Sequence, residues 1–312
     1  MLDKFLETIG QDLAKRWMDH LFGPAFLFWA GGLGLFIWED GWDETASIWA
    51  HWDILQQASA LLIGLLVVFL SSLAMKNMQF PAIQFLEGYW PRPLSRLDSY
   101  LVSRNKREFE KLSIELHKLK AEEESGLIAS DKHGRLSWLE SWSHNNPPAK
   151  RDLLPTRLGN LLRAREMAAL SKYGLKSTVC WPRLWCLLPE CLKENLTTSR
   201  AALNQSAELW LWGFLFMIWT ARSYLAVPIS ILWMLVAYRL ALQTAAVYGD
   251  LVETAFDVHR FSLYDALSWE RPKDSDEEKI KGKDLSEFLW RGTTRKRVQY
   301  KESSKSDEQK IS

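Results

Sequence analysis

From Leu55 to Met75 no residue carries a charge, and the centre of that run, ALLIGLLVVFL, offers no polar face on a helical projection. A helix apolar all round belongs in the core of a large protein or in a bilayer. At about 1.5 Å per residue this run also covers most of a hydrocarbon core about 30 Å thick. Three further runs read the same way. Leu21 to Trp38 is uncharged; Ala207 to Ala221 and Leu225 to Tyr248 follow each other closely, separated by Arg222, Ser223 and Tyr224, with Pro228 at the turn. Hydrophobic residues make up 47% of the 312, yet the mean hydropathy is only −0.17, so the apolar residues are concentrated in segments. The 17 tryptophans cluster beside these runs, as at Trp38, Trp42, Trp49, Trp52, Trp210, Trp212 and Trp219, where an interfacial aromatic belt would lie. The expectation is an all-α, multi-pass membrane protein with four spans. The third run is the shortest; if it does not cross, the C-terminus changes side.

Orientation follows from Lys and Arg in the short flanks. Residues 39–54 contain several acids and no Lys or Arg, whereas Lys4, Lys15 and Arg16 precede the first run and Lys76, Arg92 and Arg96 follow the second. That asymmetry places the N-terminus inside and, with four spans, both termini in the cytosol and residues 39–54 in a loop on the far side. The first run lacks a small-residue cleavage pattern and is read as a span, not a cleaved signal. The resulting division is 1–20, an amphipathic helix; 21–75, two spans; 76–206, a cytosolic helical domain; 207–248, two spans; 249–292, a cytosolic extension; and 293–312, a disordered tail.

Within the polar parts, Leu2, Phe5, Leu6, Ile9, Leu13 and Trp17 recur at helical spacing, which suits a helix lying on the inner leaflet or one packed on the protein's own domain. Leu94, Leu97 and Leu101, then Phe109, Leu112, Leu116 and Leu119, predict a long helix to Glu124 whose seam packs within the chain in preference to self-association. Residues 125–151, with Gly126, Gly134, Asn145, Asn146, Pro147 and Pro148, read as loop. Thr156 is a candidate N-cap for a helix stopped by Gly174.

The strings EGYWP (87–91), LPTRLGN (154–160), KYG (172–174), WPRLW (181–185), AFDVHRFSLYDAL (255–267) and LWRG (289–292) occur in that order. In these the chain resembles a group of uncharacterised bacterial multi-pass inner-membrane proteins, over most of residues 85–292. The resemblance implies an inner-membrane setting and a role for the cytosolic strings; it carries no activity.

No phosphate-binding loop, dinucleotide fingerprint, nucleophile elbow or H-E-x-x-H occurs, so an enzyme is only a third reading and no cofactor is expected. Cys180, Cys186 and Cys191 stand six and five residues apart, unlike paired C-x-x-C zinc ligands, and read as reduced structural thiols; no metal site is expected. With 39 Lys+Arg against 38 Asp+Glu, no global charge recruits nucleic acid, and no direct nucleic-acid binding is expected. Two groups stand out. Arg239, Gln243, Asp250, Glu253 and Asp257, at offsets of 4, 7, 3 and 4, would form one stripe on a continuous helix, a candidate conduit or coupling element. The blander account has Arg239 snorkelling to the interface, Gln243 bonding another span, and the acids, with His259 nearby, paired to Arg157, Arg163, Arg165 or Arg183. Trp181, Trp185, Arg157 and Arg183 are candidates for docking a soluble partner. The expected function is a membrane effector or channel-like protein, a homo-oligomer in the lipid bilayer whose cytosolic domain senses a partner or ligand and gates permeability. That layout is compatible with antiviral defence. The alternative is a non-conducting scaffold for a soluble cytosolic partner.

Overall fold

The computed structural model describes residues 23–126 and 129–293. The amphipathic helix expected over 1–20 and the tail expected after 293 lie outside them. Among the described residues the regular elements are helices: α1 (Pro24–Asp40), α2 (Trp42–Ala50), α3 (Ile54–Asn77), α4 (Gln79–Glu87), α5 (Ser95–Glu124), α6 (His133–His144), α7 (Arg157–Tyr173), α8 (Ser177–Leu187), α9 (Glu190–Leu215), α10 (Ala226–Ala266) and α11 (Ser275–Arg291), with short 3₁₀ turns between some of them. Their ends carry local signals. Gly23 precedes Pro24 at the first turn of α1. Asp53 and Gln56 form a reciprocal capping box on α3. The Thr156 hydroxyl accepts from the Gly159 N–H at 3.0 Å, and Gly174, at φ +73°, closes α7 in the left-handed region.

Two stretches read as loop are helical. The 39–54 segment contains α2, and 125–151 contains α6. The glycines, asparagines and prolines that suggest a loop bound α6 without interrupting it; inside, Leu136 and Leu139 are buried against Leu116 and Leu119 of α5.

The chain forms two compact units: the described residues up to Phe85 with Ala202–Ala241, and Leu86–Ala201 with the described residues from Leu242. The segments read separately as a cytosolic domain and a cytosolic extension therefore belong to one body.

Helix α3, in the first unit, and α10, which begins in it, are long and apolar enough to cross a membrane. The sequence leads to four spans, but among the described residues two helices reach that length and composition. Helix α1 has 17 residues, and the third apolar run is divided between the end of α9 and a 3₁₀ helix, Phe216–Ala221. Around a core of Phe28, Leu35, Trp212 and Phe216, small residues make the closest contacts in this unit while many large side chains of α3 and α10 face outward. A side chain on Gly32 would overlap the Trp219 ring, the Ser230 hydroxyl donates to the Gly213 carbonyl at 2.6 Å, and Ser230, Ala237 and Ala241 of α10 are fully buried. Meanwhile Leu61, Leu62, Ile63 and Leu66 of α3, and Ile231, Leu232, Leu235 and Val236 of α10, are exposed. Close backbone approach through small residues, with large apolar side chains turned outward, is the arrangement suited to lipid.

Two polar contacts bracket the third run. Gln79 Nε2, just past α3, donates to Glu208 Oε2 at 2.6 Å, and the Arg222 guanidinium pairs with Asp40 at the end of α1. The third run thus begins level with the end of α3 and finishes level with the end of α1. Six residues wound as 3₁₀ at about 2.0 Å rise also reach about 3 Å further than the same six in an α-helix. In a background lacking Cys180, Cys186 and Cys191, Asp40→Cys with Arg222→Cys should cross-link under mild oxidation, whereas Asp40→Cys with Gln79→Cys should not; gel mobility reads the outcome.

Candidate functional site

The second unit brings the sequence strings together through close backbone contacts. Gly88, at φ +101°, lies against Pro155, and a side chain on Gly159 would overlap the Glu87 carbonyl, so EGYWP is seated on LPTRLGN. Gly174 lies against the Lys279 carbonyl and Gly282 against that of Tyr173, which joins KYG to α11. Trp181 packs on Phe256 with ring centroids 5.9 Å apart, and Arg183 Nη2 donates to the Leu289 carbonyl at 3.4 Å.

At the centre is an ionic ladder between α7 and α10. The Arg165 side chain, 5% exposed, donates to the His144 carbonyl at 2.8 Å and Asn145 Oδ1 at 3.2 Å, and its guanidinium faces Asp250 at 2.8 Å and Glu253 at 3.5 Å. Two turns along α7, Lys172 Nζ lies 2.7 Å from Glu253 and 3.1 Å from Asp257, and the Tyr173 hydroxyl donates to Asp257 at 2.8 Å. Burial lowers the Lys172 pKa, but the hydrogen bonds and charges of Glu253 and Asp257 outweigh it and hold the ammonium above its ordinary range. Arg260 continues the ladder, bonding Glu278 of α11 at 2.6 Å over the Tyr173 ring.

Of the arginines considered as partners for the acids, Arg165 is the one placed among them; Arg163 pairs with Glu166 at 2.8 Å and Arg183 bonds backbone carbonyls. Lys172 and the chain around His144 complete the set, and the sequence pattern did not single them out. His144, Asp250 and Glu253 offer three metal-ligand atoms within 4.8 Å of one another, but Arg165 and Lys172 already pair with these carboxylates and a cation would have to compete with them. The three cysteines are free, Cys180 buried with its thiol pKa raised by that burial, Cys186 and Cys191 exposed.

Helix α10 is continuous from Ala226 to Ala266, so Arg239, Gln243, Asp250, Glu253 and Asp257 do share a stripe. Its members differ in surroundings. Asp250, Glu253 and Asp257 are engaged as described, whereas Arg239 and Gln243 are exposed side chains with no hydrogen bond or ion pair among the described residues. The docking candidates also separate. Trp181 and Trp185 are half-buried against the core of this unit, while Arg157 is exposed beside a cleft of about 540 Å³ that Trp138 and Trp142 also line.

Next to the ladder is a cavity of about 280 Å³, walled by Leu162, Trp181, Tyr248 and Val252 and by the aliphatic stem of Arg165, with Glu87, Glu166 and Arg200 as its charged groups. Burial raises the Glu87 pKa above 4.5; Arg200 opposes that shift and Glu166 adds to it. The Arg200 guanidinium lies 5.3 Å from the centre of the Tyr248 ring. Arg165 is therefore common to cavity and ladder: its stem lines one and its charge anchors the other, pressed against Gly249 of α10. Glu87 opens the EGYWP string but was not singled out as a site residue, and no motif marks Arg200.

No family model, curated protein or solved structure matches the chain.

Arg165→Leu leaves Glu253 buried without its guanidinium and should cost about 3 kcal/mol, the low end for breaking a buried pair because Asp250 keeps water contact. Arg165→Leu combined with Glu253→Leu should recover part of that loss; chemical unfolding of the detergent-solubilised chain measures both. For Glu87 the sign runs the other way from a paired carboxylate. Its folded pKa lies above 4.5, so the charged form costs stability above the folded pKa, and that cost disappears as pH falls toward 4.5. Glu87→Gln should therefore melt higher than wild type at neutral pH, with the difference shrinking on acidification.

Proposed function

We propose that the chain is a four-span protein of a bacterial inner membrane, with both termini cytosolic, in which the unit of Leu86–Ala201 and residues from Leu242 senses a ligand or partner and, in a homo-oligomer, controls membrane permeability through α10. The observation that carries this reading is Arg165. A buried arginine whose stem lines a cavity and whose guanidinium holds the acidic stripe of α10 gives occupancy of the cavity a direct mechanical and electrostatic route into a helix whose first turns are apolar. A ligand that displaced the Arg165 stem would weaken its bonds to Asp250 and Glu253, and the helix would be freed to shift or rotate.

The four-span arrangement is supported by the bracketing of the third run between Gln79–Glu208 and Asp40–Arg222, and the orientation by the absence of Lys and Arg from residues 39–54. Against the scaffold reading stands the half-burial of Trp181 and Trp185, which leaves their string as cavity wall and core in place of a free docking face. Loss of membrane potential on triggering is an output that a defence effector can use, and this is the setting in which we place it.

The test combines topology and permeability. Reporters fused after Gly134 and Gly292 should read as cytosolic, and one within residues 39–54 as periplasmic. Induced expression should collapse the membrane potential followed with a voltage-sensitive dye, and Arg165→Leu should lose that response while still inserting. Arg239→Leu should change the response if the exposed half of the stripe lines a water path; full activity of both Arg239→Leu and Arg239→Gln would assign Arg239 to snorkelling. An unchanged potential together with a soluble protein co-purifying in stoichiometric amount would replace the conduit by the scaffold.

A further inference from the structure

The charged groups around the 280 Å³ cavity are not equally satisfied. Glu166 is held by Arg163 at 2.8 Å, and its backbone carbonyl accepts from the Ser177 hydroxyl at 2.6 Å. Arg165 turns its guanidinium away to the ladder and offers the cavity its stem. Glu87 and Arg200 are different: both line the cavity and both are half-buried. Neither side chain makes a hydrogen bond or an ion pair with the other or with any described residue. Partly desolvated charges of opposite sign ordinarily close on each other, because an unmade charged hydrogen bond costs more than a made one returns. Here the Arg200 guanidinium is instead held over the Tyr248 ring.

The space between them therefore suits a molecule with a donor at one end and an acceptor at the other. Its remaining walls are mostly apolar, Leu162, Val252, Trp181, Pro182 and Tyr248, with Thr178 and the Ser177 hydroxyl, already bonded to the Glu166 carbonyl, as the neutral polar groups, so the body between those ends is largely apolar. The volume lies at the lower edge of the about 300–1,000 Å³ typical of small-molecule sites, so the ligand is small.

We infer that this cavity binds a small zwitterion with an apolar body, the chemistry of a free aliphatic or aromatic α-amino acid, its ammonium against Glu87, its carboxylate against Arg200 and its side chain on Trp181. A simple cation would leave Arg200 unanswered and a simple anion would leave Glu87 so. This names the ligand for the sensing unit proposed above and rests on that reading for its consequence, but binding itself does not require that the spans conduct.

Calorimetry on the purified full-length chain in detergent tests it, with L-phenylalanine and L-leucine as zwitterions, and phenethylamine and 3-phenylpropionate as analogues bearing one charge each. The expected result is saturable binding of at least one amino acid, with the singly charged analogues weaker by about tenfold or more, equivalent to about 1.4 kcal/mol. Glu87→Gln should erase the preference for L-phenylalanine over 3-phenylpropionate, and Arg200→Gln its preference over phenethylamine, each without affecting the other comparison. Failure of both amino acids to bind the wild-type protein, or binding of either analogue as tight as L-phenylalanine, overturns the assignment. Because the readout is heat of binding, a chain that binds but leaves membrane potential intact would overturn the gating reading alone.

Discussion

A helix surrounded by lipid gains nothing from burying its large apolar side chains, because hydrocarbon outside is as good a solvent for leucine as a protein core. What remains to hold such helices together is close contact, and close contact requires small residues. The first unit follows from that constraint: glycines of α1 admit the rings of Phe216 and Trp219, Gly213 admits the backbone of α10, and the leucines of α3 face outward. Charged partners then sit at the ends of the apolar runs, where Asp40 meets Arg222 and Gln79 meets Glu208, while inside the contacts are neutral, Ser230 to the Gly213 carbonyl and the Trp29 indole to Ser71.

The second unit is organised by the opposite problem. Arg165 is a permanent cation almost removed from water, and such a charge is tolerable only with several hydrogen-bond acceptors around it. Two carboxylates, a carbonyl and an amide oxygen supply them, from α6 and its C-terminal turn and from α10. The orientation of α6, α7 and α10 within this unit is thus fixed by one guanidinium more narrowly than apolar packing alone would fix it, since a shifted acid leaves a buried charge exposed to its own desolvation cost. Lys172, nearer to solvent, extends the same register toward Asp257 and contributes less to it.

Much of this was legible from local patterns. The cap at Thr156, the stop at Gly174 and the long helix ending at Glu124 each depend on a few neighbouring residues, and each is where the pattern put it. The stripe of acids on α10 was visible from spacing alone, and the pairing of its acids with an arginine of the middle domain was anticipated in kind. Which arginine, and the entry of Lys172 and His144, depended on contacts across long separations in sequence that periodicity does not encode. Helix α6 was missed because its boundaries are rich in glycine, asparagine and proline while its apolar face is only Leu136, Leu139 and Trp142. Arg200 carries no motif, and the EGYWP string gives its first residue, Glu87, no role; what distinguishes both is the lack of an ion-pair partner, which is a property of three dimensions.

The order of synthesis gives the close backbone seats of α7 a further meaning. Gly174 and Tyr173 rest against Lys279 and Gly282, and the core around Leu175, Leu184 and Phe256 is closed by Leu285, all of α11 or the end of α10. Those closing residues leave the ribosome only after the apolar segments at 207–248 have been made. The polar unit therefore cannot finish folding on a chain whose later hydrophobic segments have failed to arrive, and until then the faces of α7 and α8 remain open to chaperones and proteases. Its native state thus requires a chain synthesised through α11, so a sensor built on it would become competent only after residues 207–248 have been made.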